Sequence, residues 1–172
     1  MMKINNDTNL DVEKLLQKIT RETANLITTK RLSNPLLIGI KTGGVWIARE
    51  IGQKLGIEEP LAELNITFYR DDFSRVGIHP NVEPSELLVE VDGRDLILVD
   101  DILFTGRTVR AAMNEIFDYG RPRAIFLVVL LDRKGRELPI AADVTGKTLS
   151  LHPREHVKLE GPDPLQLKFC ES

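Results

Sequence analysis

Two adjacent acids, Asp100 and Asp101, end the apolar run Leu-Ile-Leu-Val at residues 96–99, and three spacers later the chain reads Thr105-Gly106-Arg107-Thr108. Neighbouring carboxylates repel and give up water at a cost, so a pair at the tip of a buried strand asks for a ligand. One carboxylate accepting two hydrogen bonds from a vicinal diol is good geometry, and charge-assisted bonds are the stronger kind. A cation bridging to the ligand would serve equally. The bland alternative is an N-cap aspartate before an ordinary strand-to-helix turn.

The turn itself suits the opposite charge. The first amides of a helix lack internal partners and its dipole favours an anion there. Gly106 lets the backbone approach a ligand, and Thr105 and Thr108 add hydroxyl donors. A diol beside a monophosphate describes ribose 5-phosphate. The stretch has neither the Gly-x-x-x-x-Gly-Lys of a nucleotide P-loop nor the Gly-x-Gly-x-x-Gly of a dinucleotide site.

These groups need a scaffold, and the hydrophobic pattern supplies one. Val12, Leu15, Leu16, Ile19, Leu26 and Ile27 recur at helical spacing, predicting an amphipathic helix over about 10–29. "LLIGI" after Pro35 and "AIFLVVLL" read as strands buried on both faces. "KTGG" is a turn, and "VWIAREIGQKL" a helix closed by Gly56. "LAELNITFY" alternates as a half-buried strand. "LLVEV" and "DLILV" read as strands around a "DGR" turn. "GRTVRAAMNEIFDYG" sets Val109, Ala112, Met113, Ile116 and Phe117 on one helical face. Residues 70–86 form a long loop, and "HVKLE" and "LQLKF" a terminal hairpin. Buried strands alternating with helices predict an α/β fold with a mainly parallel sheet flanked by helices. In such sheets ligands sit beyond the carboxyl ends of the strands, where Asp100 and Asp101 fall.

The chain has 172 residues and a formal net charge of −3, with 42% hydrophobic and 28% charged residues. These values suit a single domain over 1–172 and give no general affinity for nucleic acid or anionic membrane. Cys170 is the only cysteine, so a reducing compartment fits. No apolar signal core or membrane-length run is present, and we expect a cytoplasmic protein. His152 and His156 are separated by Pro153 and make no metal pattern; Trp46 reads as core.

"ILVDDILFTGRT" resembles the phosphoribosyl diphosphate (PRPP) fingerprint of type I phosphoribosyltransferases. "LIGIKTGG", "ITFYRDD", "GRPRAIFLVVLLDRKGRELPI" and "AADVTGK" extend the likeness, in order from about Leu10 to Leu149, to the PyrR family of bifunctional pyrimidine operon regulators and uracil phosphoribosyltransferases. The resemblance implies the type I phosphoribosyltransferase fold with a small hood and a flexible loop. It implies conversion of uracil and PRPP to UMP and pyrophosphate with Mg2+ held mainly by PRPP, so that no dedicated protein metal site is expected. By the same likeness Asp100, Asp101 and Arg70 are catalytic. Lys41, Thr42, Gly43 and Gly44 bind pyrophosphate through backbone amides, and Thr105, Gly106, Arg107 and Thr108 complete the PRPP/UMP site. Arg70, Asp71 and Asp72 open the flexible loop; the two acids are metal-linked or simply solvated. The hood comprises about 132–150 and the C-terminal hairpin, with Arg133, Arg136, Glu137 and Leu138 over the base. One departure concerns the pyrophosphate loop, where Gly43 replaces an arginine of many relatives.

Members of this family also bind an mRNA leader under control of uridine nucleotides (UMP, UTP), and they form dimers or larger homo-oligomers. By likeness the RNA surface would use Lys18, Arg21, Arg136 and Lys147. Ala141 stands where RNA-binding members carry arginine, and Gln17 where they carry threonine. Two readings remain open here: a working uracil phosphoribosyltransferase, and a catalytically weak PRPP/UMP-binding regulator acting through RNA or a protein partner.

Overall fold

A computed structural model describes residues 9–66, 87 and 89–172. The order is α1 (Val12–Thr29), β1 (Leu36–Ile40), α2 (Gly43–Leu55), β2 (Ala62–Leu64), β3 (Asp95–Leu103), α3 (Arg107–Tyr119), β4 (Ala124–Arg133), β5 (Val144–Leu149), β6 (Glu155–Glu160) and β7 (Gln166–Glu171). Strands β1 to β5 form one parallel sheet in the order β2-β1-β3-β4-β5, and β6 and β7 pair antiparallel.

The continuous apolar strands are explained by burial on both faces. Leu37, Ile97, Val99, Val128 and Leu130 turn to one side, where Leu16 and Ile19 of α1 and Ile47 and Ile51 of α2 cover them. Leu36, Ile38, Leu96, Leu98 and Val129 turn to the other, under Val109, Ala112 and Ile116 of α3. Helix α1 starts where the Asp11 carboxylate accepts the Lys14 amide at 3.3 Å. Helix α2 ends at Gly56 in the left-handed region, whose neighbour Ile57 donates back to the Gly52 carbonyl at 2.9 Å.

Several expectations are corrected. Val89, Glu90 and Val91 form no strand; Val91 is buried, yet its carbonyl closes a turn with the Arg94 amide. Residues 144–149 do form a strand, at the sheet edge beside β4. Phe117 is 56% exposed, whereas Val109, Ala112 and Ile116 of the same expected stripe are buried. Met113 is only partly buried beside them. Gly43 and Gly44 of "KTGG" belong to the first turn of α2. In 61–66 the expected alternation holds, with Ala62, Leu64 and Ile66 buried, but the strand is three residues long among the described residues. The rest of that run, the long loop and with it Arg70, Asp71 and Asp72 lie outside the described residues.

Candidate functional site

The carboxyl ends of β1, β3 and β4 open into a cleft of about 310 Å3. Asp100 and Asp101 form its floor, with Thr42 and Gly43 on one side and Thr108 on another. Asp100 is 2% exposed and its Oδ1 accepts the Asp101 amide at 2.9 Å. Asp101 is half-buried; its Oδ1 accepts the Ile102 amide at 2.8 Å. Each acid is thus oriented by the backbone that carries it, and Asp101 Oδ2 faces Gly43.

The glycines explain how two chain segments meet so closely. A Cβ on Gly43 would lie 2.8 Å from Asp101 Cγ, and one on Gly44 would lie 3.0 Å from Asp100 Cα. Only glycine lets the start of α2 press against the end of β3 in this way. Lys41, just before them, holds its ammonium 3.6 Å from Glu63. Thr42 is exposed at the helix N-cap and makes no side-chain capping bond.

Downstream, Gly106 adopts φ +94°, and α3 begins at Arg107. Gly106 has no side chain to occupy the first-turn amides, which a bound anion can take. Thr105 Oγ1 accepts the Arg107 amide at 3.2 Å, fixing the turn. The Thr105 carbonyl accepts the amides of Glu137 at 3.0 Å and Leu138 at 3.1 Å. Arg107 Nε donates to Glu137 at 2.8 Å. Arg136 donates to the Ile140 carbonyl at 2.7 Å, to Asp132 at 2.6 Å and to the Phe104 carbonyl. Segment 136–140 is therefore bolted onto the Thr105–Gly106 turn.

Arg133 is placed differently. It ends β4, is 7% exposed, and sets its guanidinium 4.0 Å from the centre of the Phe104 ring. Burial pushes its guanidinium below the usual arginine range, an effect partly offset by the Glu155 carboxylate. With Phe104 it lines the cleft, as do Gly43 and Val157, Lys158 and Leu159 of β6.

The structure thus gathers Thr42, Gly43, Asp100, Asp101, Thr108 and Arg133 around one cleft, with Gly44, Thr105 and Gly106 shaping it from behind. Arg107 and Glu137 pair with each other, Arg136 binds Asp132 and the Phe104 and Ile140 carbonyls, and Lys41 is paired with Glu63. Of the residues expected to face RNA, Lys18 straps α1 to β5 through the Thr145 and Gly146 carbonyls at 3.1 and 2.8 Å. Arg136 is bonded as described; Arg21 is exposed and Lys147 half-buried. Gln17 and Ala141 are exposed. Sequence reasoning missed Phe104 and the β6 wall, and it placed Trp46 in the core alone. Trp46 packs on the core and also lines the cleft, and a Cβ on Gly161 would come within 3.0 Å of its ring. The indole therefore seats the hairpin. Among the described residues there is no group of three or more His, Cys, Asp or Glu able to hold a metal, and no helix long and apolar enough to cross a membrane.

Comparison with known proteins agrees with this geometry. The family model for the phosphoribosyl transferase domain matches residues 6–161. The chain is 50% identical over 170 residues to the bifunctional protein PyrR of Nitrosococcus oceani, covering 98% of this chain and 96% of that one. It is 52% identical to PyrR of Pseudomonas paraeruginosa, over 90% of this chain and 91% of that one. A hypoxanthine-guanine phosphoribosyltransferase of Bacillus anthracis superposes with a TM-score of 0.67 at 19% identity, covering 84% of each chain. A purine phosphoribosyltransferase of Pyrococcus horikoshii gives 0.62 at 20% identity, over 81% of this chain and 85% of that one. The fold is that of the type I phosphoribosyltransferases, and the chain belongs to the phosphoribosyl transferase domain family, within its PyrR group.

Proposed function

We propose that the chain is a uracil phosphoribosyltransferase, joining uracil to the ribose 5-phosphate of PRPP with release of pyrophosphate. The observation that carries this reading is that the paired acids Asp100 and Asp101 and the open start of α3 share one cleft with the Gly43–Gly44 turn. Diol, 5′-phosphate and diphosphate each have a chemically matched wall there.

In the reaction the bond from uracil N1 to ribose C1 forms as the bond from C1 to the diphosphate oxygen breaks. The electron pair of the broken bond leaves with the diphosphate, and the N1 proton passes to water. Positive charge builds on the ribose in between. The protein's work is alignment and charge compensation. Asp100, held at 2% exposure, and Asp101 clasp the ribose hydroxyls beneath that charge. The first-turn amides of α3 and the Thr108 hydroxyl hold the 5′-phosphate. Segment 136–140 covers the base, and the family likeness assigns the diphosphate to Arg70, which lies outside the described residues. Mg2+, which supplies charge neutralisation on the diphosphate, would be held by PRPP oxygens and by Asp101, whose Oδ2 is turned into the cleft. A reducing, cytoplasmic setting suits the exposed free thiol of Cys170.

The relatives' description as bifunctional supports a second role, uridine-nucleotide-dependent binding of an mRNA leader by an oligomer of this chain. Arg21 is its best-exposed expected cation. Filter binding to a pyrimidine-operon leader across a salt series tests it; salt-sensitive, UMP-enhanced retention is expected, and its absence removes this role.

The transferase reading is tested by radiolabelled uracil with PRPP and Mg2+, on the wild type and on Asp101→Asn. We expect turnover of uracil, and a loss of roughly a hundredfold or more in the variant with its melting temperature nearly unchanged. Full activity of the variant, or use of a purine in place of uracil, would overturn the assignment.

A further inference from the structure

Arg133 breaks a rule that the rest of the chain obeys. Buried arginines are normally paired with a carboxylate or saturated with carbonyls. Arg133 is 7% exposed, its Nε has no hydrogen-bond partner, and among the described residues the Glu155 carboxylate acts on it only from beyond ion-pair distance. Its contact is the Phe104 ring, 4.0 Å away, which holds one face of the guanidinium and leaves the N–H edge unspent. The other cations around the site are committed: Lys41 to Glu63, Arg107 to Glu137, Arg136 to Asp132. Lys158, on the same wall, is exposed and already hydrated, so it carries no comparable deficit.

An unpaired, desolvated guanidinium beside two acids that do not reach it implies an anion absent from the free protein. The planar fork of an arginine matches two phosphate oxygens at once. The loop expected to bind diphosphate brings no cation of its own to the cleft. Gly43 bears no side chain, and a Cβ there would run into Asp101. Arg133 lines the same cleft as Thr42 and Gly43 of that loop. A neutral pyrimidine ring would leave the charge uncompensated, since carbonyl oxygens carry no net charge. The 5′-phosphate has the start of α3.

On this ground, and resting on the transferase reading above, we propose that Arg133 is a binding residue for the diphosphate group, both as carried by PRPP and as the released product. Phe104 holds one face of the guanidinium in the cleft that Gly43 also lines. The departing diphosphate takes up the electron pair of the broken bond, so its charge rises as Arg133 meets it.

UMP carries the base, ribose and 5′-phosphate but no diphosphate, so the two products divide the site between them. Calorimetric titration of the full chain with Mg2+-pyrophosphate and, separately, with UMP therefore tests the assignment. In Arg133→Met the dissociation constant for pyrophosphate and the KM for PRPP are expected to rise roughly thirtyfold, the order of a lost charge-assisted contact, with UMP affinity within about twofold of wild type. Arg133→Lys, which keeps the charge but not the fork, is expected between the two. Unchanged pyrophosphate affinity in both variants, or UMP weakened as much as pyrophosphate, removes this role from Arg133 and leaves the transferase reading intact. Failure of the wild type to bind UMP and to convert uracil would remove both.

Discussion

The carbonyl of Thr105 accepts the amide of Leu138 at 3.1 Å, so the Thr105–Gly106 turn and segment 136–140 form one hydrogen-bonded piece. Arg136 reinforces the junction through Ile140, Asp132 and the Phe104 carbonyl. Replacing it leaves those oxygens without their donor. Arg136→Ala should therefore cost about 1–3 kcal/mol by chemical denaturation, because the site is partly open to water. It should also raise the UMP dissociation constant about tenfold through loss of alignment. Unaltered UMP binding would show that the two segments are independent.

The contact between Gly43 and Asp101 admits no side chain. Gly43→Ala places a methyl 2.8 Å from Asp101 Cγ and must push the carboxylate aside. We expect kcat/KM for PRPP to fall roughly a hundredfold, since displacements of about an ångström are that costly. Both residues lie at the cleft surface, so the melting temperature should move little. A crystal structure of the variant with Asp101 unmoved would contradict the argument.

Far from the cleft, Glu59 and Arg94 make a two-point ion pair, with contacts of 2.6 and 2.9 Å. Hydrogen bonding and the charge of Arg94 hold the Glu59 carboxyl below its ordinary value of 4.5. A depressed folded-state value means stabilisation that is present above the unfolded value and lost as pH falls through the folded one. Wild type should therefore exceed Glu59→Gln in unfolding free energy near pH 7, and the gap should shrink below about pH 4.5. Urea melts at pH 7 and at pH 3.5 measure it; a gap that is constant or widens on acidification would refute the pairing. Activity at pH 7 should be unaffected by this substitution.

The parts legible in the sequence were those with local causes. The runs at 36–40 and 96–99 are strands because nothing polar interrupts them, and the acids after the second fall at its carboxyl end. Val91 shows the limit of that reasoning: it is fully buried, yet a turn with Arg94 rather than a strand ladder puts it there. Strand β5 escaped notice because Gly146 and Lys147 interrupt its apolar residues, and its pairing with β4 comes from tertiary contact. A Cβ at Gly146 would strike the Leu130 carbonyl, so the residue that hides the strand also allows its close approach. Phe117 lies at the margin of the α3 stripe, one step past Ile116, where the sheet no longer covers it. Arg133 was marked as facing a ligand for reasons of family likeness. Its buried, unpaired state has no signature in the residues "DRKGR" and follows from Phe104, 29 positions upstream, lying beneath it.

The β6 wall carries a consequence for biosynthesis. Val157 and Leu159 would be misplaced without Trp46 and the core, and the cleft lacks that side until β6 and β7 have paired. A nascent chain that has left the ribosome only through β4 already displays both acids and the turn after them, but on an open ledge. The wall that Val157, Lys158 and Leu159 give the cleft is thus the last part of it to be synthesised, after every acid and amide that the site uses.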